Sequence, residues 1–300
     1  MKKMLLPQQR SAGFLLGADG FLSVISLLTA LYGVAMIYSA TRIFDTYKYV
    51  LIQLTAVLLG YFAMILVSHL RYKTFVRYTR WFLYFAALAL LVLTLAIGTG
   101  EGNRSWIRFS FMPIGFQPSE FVKILFILTF AFHLGKVKDR QNSFLTFLML
   151  CLHAFVIIGM VVLQGDLGSA LVFLFVFLLM LFSSGASLWY FLGMGAVSAG
   201  AAPFLWKYFL KEYQKERILC GFDPSRDPLG YGYQALCSQR AVCGGGFWGQ
   251  GYLKGEISQN PMQSALPARQ TDMIFAVMGE ELGFVGICVY LILLSALVLR

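Results

Sequence analysis

The chain has 300 residues, 59% of them hydrophobic and only 13% charged, with a mean hydropathy of +0.73. That balance excludes an ordinary water-soluble globule, in which about a quarter of residues are charged. A formal charge of +10 would raise nucleic acid as a partner for a soluble protein, but in a chain that lives in lipid no nucleic-acid partner is expected, and the placement of the charges matters more than their sum.

A helix needs about 20 apolar residues to cross the hydrocarbon core. Residues 20–41, 49–68 and 81–100 carry no charge, and 117–134 is apolar apart from Glu120 and Lys123. Residues 141–165 are uncharged, broken only by His153. Residues 167–206 are too long for one crossing, and the small polar run Ser183-Ser184-Gly185-Ala186-Ser187 divides them into two. Residues 271–299 close the series, with their charges at the start. The expectation is an all-α, polytopic membrane helix bundle of about eight transmembrane helices, one integral domain over residues 1–300, with a long outer loop at 207–271. No cleavable signal peptide is expected, because the first apolar segment has full span length and lacks a small-residue cleavage site.

The charges orient this bundle. The segments on the N-terminal side hold eleven cations: Lys2, Lys3, Arg10, Arg71, Lys73, Arg77, Arg80, Lys136, Lys138, Arg140 and Arg300. The short loops on the other side hold four: Arg42, Lys48, Arg104 and Arg108. The bias predicts a cytoplasmic N-terminus. Three polar segments, 98–118, 164–169 and 207–270, then share the outer face, where binding and chemistry are to be sought.

In the first segment Gln117 or Ser119 reads as a helix start with Pro118 in the first turn. Trp106 reads as an interface anchor or a site residue. Glu120 and Lys123, spaced i, i+3, share a helix face and can pair inside the membrane, as a functional pair or a structural one. In Gln164-Gly165-Asp166-Leu167-Gly168-Ser169 the aspartate is either a helix N-cap or a ligand for a cationic group. The long loop runs from Asp223 to Gln234 as successive turns. It continues through Gln239 to the glycine run Gly244-Gly245-Gly246-Phe247-Trp248-Gly249-Gln250-Gly251, which reads as close backbone packing at a helix end or, more weakly because no G-K-[ST] follows, as a phosphate loop. Asp272, at the outer end of the last span after Arg269 and Thr271, is either an N-cap or a partly desolvated general base. Glu280 and Glu281 add two carboxylates to the same span. Of five cysteines three lie in the outer loop, enough for one disulfide with one left over, and no C-x-x-C is present. His69, His133 and His153 form no cluster in sequence, and no histidine-ligated metal is expected.

Taken together, these motifs resemble the SEDS family (shape, elongation, division and sporulation), the polytopic peptidoglycan polymerases that include RodA and FtsW. The resemblance rests on Asn103-Arg104-Ser105-Trp106 with Phe116-Gln117-Pro118-Ser119-Glu120 to Lys123, and on Gln164-Gly165-Asp166-Leu167-Gly168-Ser169, where the family usually has proline at position 165. It also rests on Asp227-Pro228-Leu229-Gly230 through Gln250-Gly251, and on Thr271-Asp272-Met273-Ile274-Phe275-Ala276 with Gly279-Glu280-Glu281-Leu282-Gly283. The segment Gly251-Tyr252-Leu253-Lys254-Gly255 resembles the RodA branch more than FtsW. The family normally has ten spans, so this chain is expected to end about two spans early.

The resemblance implies a bacterial cell-membrane glycosyltransferase that polymerises lipid II, a polyprenyl-diphosphate-linked disaccharide pentapeptide, on the outer face during cell-wall elongation. It implies a class B penicillin-binding protein as transpeptidase partner, with membrane lipids around both. Asp272 maps onto the family's proposed catalytic aspartate. Arg104, Arg108, Arg240, Lys254 and Arg269 are candidates for the diphosphate, and Trp106, Gln117, Asp166, Gln239 and Thr271 for other substrate contacts. The Glu120–Lys123 pair, Glu280 and Glu281 are candidates for the cavity lining. No cofactor is required outright; a divalent cation, Mg or Mn, is the one candidate. Two alternatives remain: a flippase for the lipid-linked precursor, and a non-catalytic scaffold for a penicillin-binding protein.

Overall fold

The computed structural model describes residues 19–100, 104–108, 115–140, 142–262 and 265–300. Lys2, Lys3 and Arg10 of the charge argument, the start of the chain read for a signal peptide, Gly102-Asn103 of the first outer motif and Gln141 lie outside the described residues. Ten α-helices are described: α1 Gly20–Arg42, α2 Lys48–Ser68, α3 Tyr72–Ile97, α4 Pro118–Val137, α5 Phe144–Leu163, α6 Leu167–Ser183, α7 Leu188–Phe204, α8 Glu212–Phe222, α9 Tyr233–Gly245 and α10 Ile274–Leu299. A two-stranded antiparallel ribbon, β1 Ile107–Arg108 and β2 Gly115–Phe116, precedes α4.

Each expected apolar window is a helix. Six are long and apolar enough to cross a membrane: α1, α2, α3, α5, α10, and α7 counted with the π-helical turn that extends it to Phe209. α4 carries Glu120, Lys123 and Lys136, and α6, with 17 residues, is a shorter apolar helix of about 26 Å at 1.5 Å per residue. α2 and α7 bury no residue although both are apolar all round. Helices of that kind are at home only where lipid is the solvent. The chain is a multi-pass membrane protein.

The chain forms two compact units, one of Arg71–Pro203 and one of the residues up to Leu70 with Phe204–Arg300. In the first, α3 to α6 close on an aromatic ladder. Phe126 stacks on Phe130 at 5.3 Å and meets Phe173 edge-on at 5.7 Å, while Leu91, Leu150 and Ile157 fill the gaps without exposure. Lipid tails are as apolar as these side chains, so close packing rather than transfer from water holds the helices together. The helix break between α6 and α7 falls in the expected serine run, at Gly185 with φ 85°. The histidine expectation is corrected here: His133 on α4 and His153 on α5 face each other, Nδ1 to Nδ1, at 3.1 Å. Twenty residues separate them in sequence, and only the packing of α4 on α5 makes them a pair.

In the second unit Met36 and Ala40 of α1, Cys237 and Ala241 of α9, and Ala276, Val277 and Met278 of α10 form the core with Leu266. α9 reaches α10 at backbone distance, since a Cβ on Gly245 would collide with the Gly279 carbonyl. α10 is interrupted at Gly283 (φ 66°, ψ −165°), where a Cβ would strike the backbone nitrogen of Gly249. The glycine run is thus a backbone contact surface. The long loop is more ordered than its turn signals indicate. The turns at 223–232 are present, but α8 precedes them and α9 follows, α8 being started by the Gln214 side chain on the Lys211 N–H and braced by a Glu212–Lys215 pair at 2.7 Å. All five cysteines are free.

Candidate functional site

Asp272 lies one residue before the N-cap of α10, which is Met273 and has no side-chain cap. Thr271 does not cap either: its hydroxyl donates to the Ala268 carbonyl at 3.3 Å. The loop ends in a tight turn in which the Thr271 and Met273 N–H groups both reach the Ala268 carbonyl, at 3.0 and 3.1 Å, with Ala268 at φ 51°. Asp272 projects from this turn, exposed and without a side-chain hydrogen bond or ion pair among the described residues. The cap reading is therefore excluded, and a carboxylate is left free at the mouth of the last helix. A groove of about 400 Å³ between α1, α2 and α10 reaches up to Gln270 and Thr271, with Ser26, Thr29 and Met278 on its walls.

Glu280 and Glu281 differ sharply from Asp272. Both are fully buried. Glu280 accepts the Ile257 and Ser258 N–H groups, each at 2.7 Å. Glu281 accepts the Ser39 hydroxyl of α1 at 2.6 Å, the Gln259 amide at 2.7 Å, the Leu253 N–H at 3.0 Å and the Ser258 hydroxyl at 3.2 Å. The two carboxylates are a clamp that fastens the 253–259 segment to α10 and α1. Buried charges persist only when so fully hydrogen-bonded. The sequence does not show the role of Ser39, Ser258 and Gln259 as partners of these carboxylates; Ser258-Gln259 enters it only as part of the RodA-like stretch.

Arg269 is the second correction. Its guanidinium is 1% exposed and donates to the carbonyls of Ser258, Asn260 and Met262 at 2.5, 2.8 and 2.8 Å and to that of Leu266 at 3.3 Å. Its plane lies over Phe44 at 5.3 Å. Burial pulls it below its ordinary pKa, against the raising influence of Glu280. With four of its five N–H donors on backbone carbonyls and its side chain buried, Arg269 orders the segment that ends at Asp272 instead of presenting a fork to a diphosphate. Gln239, Arg240 and Lys254 are exposed in the same unit.

The other candidates lie in the Arg71–Pro203 unit. Arg104 and Arg108 are exposed beside the ribbon, and Trp106 pairs with Thr99 and covers Gly115. The Arg104 N–H donates to the Gln164 carbonyl at 2.8 Å, which ties this loop to the α5–α6 turn. Asp166 is the N-cap of α6, accepting the Ser169 N–H at 3.0 Å, and the Gln117 amide joins it at 2.9 Å. Gln117 is itself the N-cap position of α4, with Pro118 at the first helical residue. Gly165 has φ 80°, a conformation that proline cannot adopt, which accounts for the departure at this position. Glu120 and Lys123 pair at 2.8 Å, with Glu120 half exposed.

Among the described residues no group of three or more His, Cys, Asp or Glu side chains could hold a metal ion. Glu280 and Glu281 spend their oxygens on the clamp, and Asp272 alone does not make a cage, so the described residues do not fit a protein-held divalent cation.

Residues 20–300 match the FtsW/RodA/SpoVE family of cell cycle proteins. The chain belongs to this family. Among curated FtsW/RodA/SpoVE relatives, a probable peptidoglycan glycosyltransferase FtsW of Geobacter sp. (strain M18) is 34% identical over 297 residues, covering 95% of this chain and 78% of the relative. Stage V sporulation protein E of Bacillus subtilis is 34% identical over 295 residues, 94% of this chain and 77% of the relative. Among solved structures of the family fold, a chain from a peptidoglycan synthase complex that coordinates polymerization and crosslinking superposes with a TM-score of 0.74 at 29% identity, over 95% of this chain and 77% of that one.

Proposed function

We propose that this protein is a peptidoglycan glycosyltransferase that polymerises lipid II on the extracytoplasmic face of the cell membrane, with Asp272 as general base. The observation that carries the reading is Asp272 itself: of the three carboxylates around the start of α10, it is the one left free, while Glu280 and Glu281 are consumed in holding the segment beside it. Asp272 takes the proton from the 4-hydroxyl of the acceptor sugar as that oxygen attacks the anomeric carbon of the donor. The new C–O bond forms on the face opposite the departing group, so the configuration inverts, and polyprenyl diphosphate leaves with the bonding pair. Positioned proton removal of this kind supplies about 10²–10⁴ in rate.

The charge that develops on the diphosphate calls for exposed cations. Arg240 and Lys254, in the same unit as Asp272, are exposed and fit that role; Arg269 does not. The groove beneath Thr271, walled by α1, α2 and α10, suits the polyprenyl chain of a substrate held at Asp272. The RodA-like segment at 251–255 favours an elongation role, and a class B penicillin-binding protein is the partner that would crosslink the product, in keeping with the synthase complex whose chain shares this fold.

A transport pathway would draw on intramembrane charge such as that of Glu280, and Glu280 is sealed between two N–H groups. The deciding experiment supplies lipid II to the purified protein with its penicillin-binding partner and compares wild type with Asp272→Ala, measuring glycan polymerisation and, in liposomes, movement of lipid II between leaflets. Loss of polymer in the variant supports the reading. Undiminished polymer sinks it, and flipping that continues when polymerisation is lost assigns transport to separate residues.

A further inference from the structure

The His133–His153 pair takes no part in the chemistry above, and it lines a pocket of about 390 Å³ between α3, α4 and α5. His153 is fixed there: its Nδ1 lies 3.1 Å from that of His133, its Nε2 lies 3.4 Å from the Thr129 hydroxyl, and its ring stands edge-on to Tyr84 at 4.5 Å. The walls are apolar and open to lipid, with Trp81 63%, Met149 53% and Leu152 62% exposed. Two cations, Arg80 and Lys136, complete the lining. A neighbouring cavity of about 560 Å³ shares Lys136 and adds Lys73 and Arg77. Four cations thus gather where α3 begins and α4 ends.

No ion pair within 4 Å among the described residues engages them, and Asp139, in the turn after α4, is the carboxylate nearest to them in sequence. The ion pairs among the described residues are Glu120–Lys123, Glu212–Lys215 and Asp19–Arg300, and none involves these four side chains. Arg80 spends one N–H on the Arg77 carbonyl at 2.6 Å and lies over the Phe132 ring at 5.0 Å, which leaves most of its donors unused. Cations outside any ion pair of the described residues, at the end of membrane helices and next to an apolar cleft, match a molecule with an anionic head and a hydrocarbon tail. We infer that this pocket is a binding site for an anionic phospholipid, its phosphate held between Arg80 and Lys136 and an acyl chain laid along Trp81, Met149 and Leu152, over the polar floor made by the histidine pair.

Native mass spectrometry of the full chain in detergent tests this, with phosphatidylglycerol and phosphatidylethanolamine offered as probes and inorganic phosphate as competitor. Wild type should retain phosphatidylglycerol over phosphatidylethanolamine, and Arg80→Gln with Lys136→Gln should weaken that retention about tenfold or more. Lys48→Gln, which removes an exposed cation elsewhere, should leave it unchanged. If the double variant does not fold, Leu152→Trp, which fills the cleft and keeps both charges, should still lower retention. Equal retention of the two lipids, undiminished binding in the variants, or displacement of the lipid by millimolar phosphate would each overturn the assignment, the last by showing a site for free phosphate.

Discussion

Glu281→Ala tests the clamp most severely. The substitution strips one buried acceptor from four donors: the hydroxyls of Ser39 and Ser258, the Gln259 amide and the Leu253 N–H. The hydroxyls can turn, and Gln259 keeps the Ser39 carbonyl at 3.0 Å. The Leu253 N–H has no such recourse. A hydrogen bond to a charged acceptor is worth about 1.5–3 kcal/mol and a stranded buried donor costs about 1–3 kcal/mol, against which the variant recovers the desolvation of a carboxylate. The net is about 3–5 kcal/mol, and at about 2–4 °C per kcal/mol for a chain of this size the thermal midpoint should fall by roughly 6–20 °C. Glu281→Gln keeps the volume but turns an NH₂ group toward donors, so it should lie between the two. The assay is thermal unfolding in detergent, followed by tryptophan fluorescence. A midpoint within 2 °C of wild type for Glu281→Ala would refute the clamp.

Three further outcomes follow from the same geometry. Gly283→Ala must place a Cβ against the Gly249 backbone at φ 66°, and should lower stability by about 1–3 kcal/mol, read as a fall in thermal midpoint. Asp166→Ala removes the cap of α6 and the partner of Gln117, a loss of about 1–3 kcal/mol in the same measurement. Arg269→Lys should fail to rescue Arg269→Met, because an ammonium cannot reproduce a fork that meets four carbonyls; both should lower the midpoint while leaving KM for lipid II unchanged in the folded fraction.

How far the sequence could be read depends on the range of the forces involved. Eight apolar windows became eight helices because span length is a local property, as is the break at Gly185, and Pro118 and Asp166 announced their helix starts by residue type alone. α8 and α9 escaped notice because short polar helices leave no apolar window. The fates of the acidic residues were not legible. Asp272, Glu280 and Glu281 look alike in the chain, and what separates them is Ser39, 242 residues from Glu281, and a loop that folds back over α10. Arg269 likewise looked like a phosphate ligand until its carbonyl partners closed around it, and His133 met His153 only when α4 packed on α5.

In the proposed role Asp272 acts on substrate and not on the fold. That role is tested most directly by the rate of glycan formation from lipid II with Asp272→Asn, in preparations matched to wild type in thermal midpoint and partner binding. The midpoint should be unchanged, since the side chain makes no hydrogen bond or ion pair among the described residues, and the rate should fall about 100-fold or more. A variant that polymerises within twofold of wild type, or one that loses activity only in step with its stability, would contradict it.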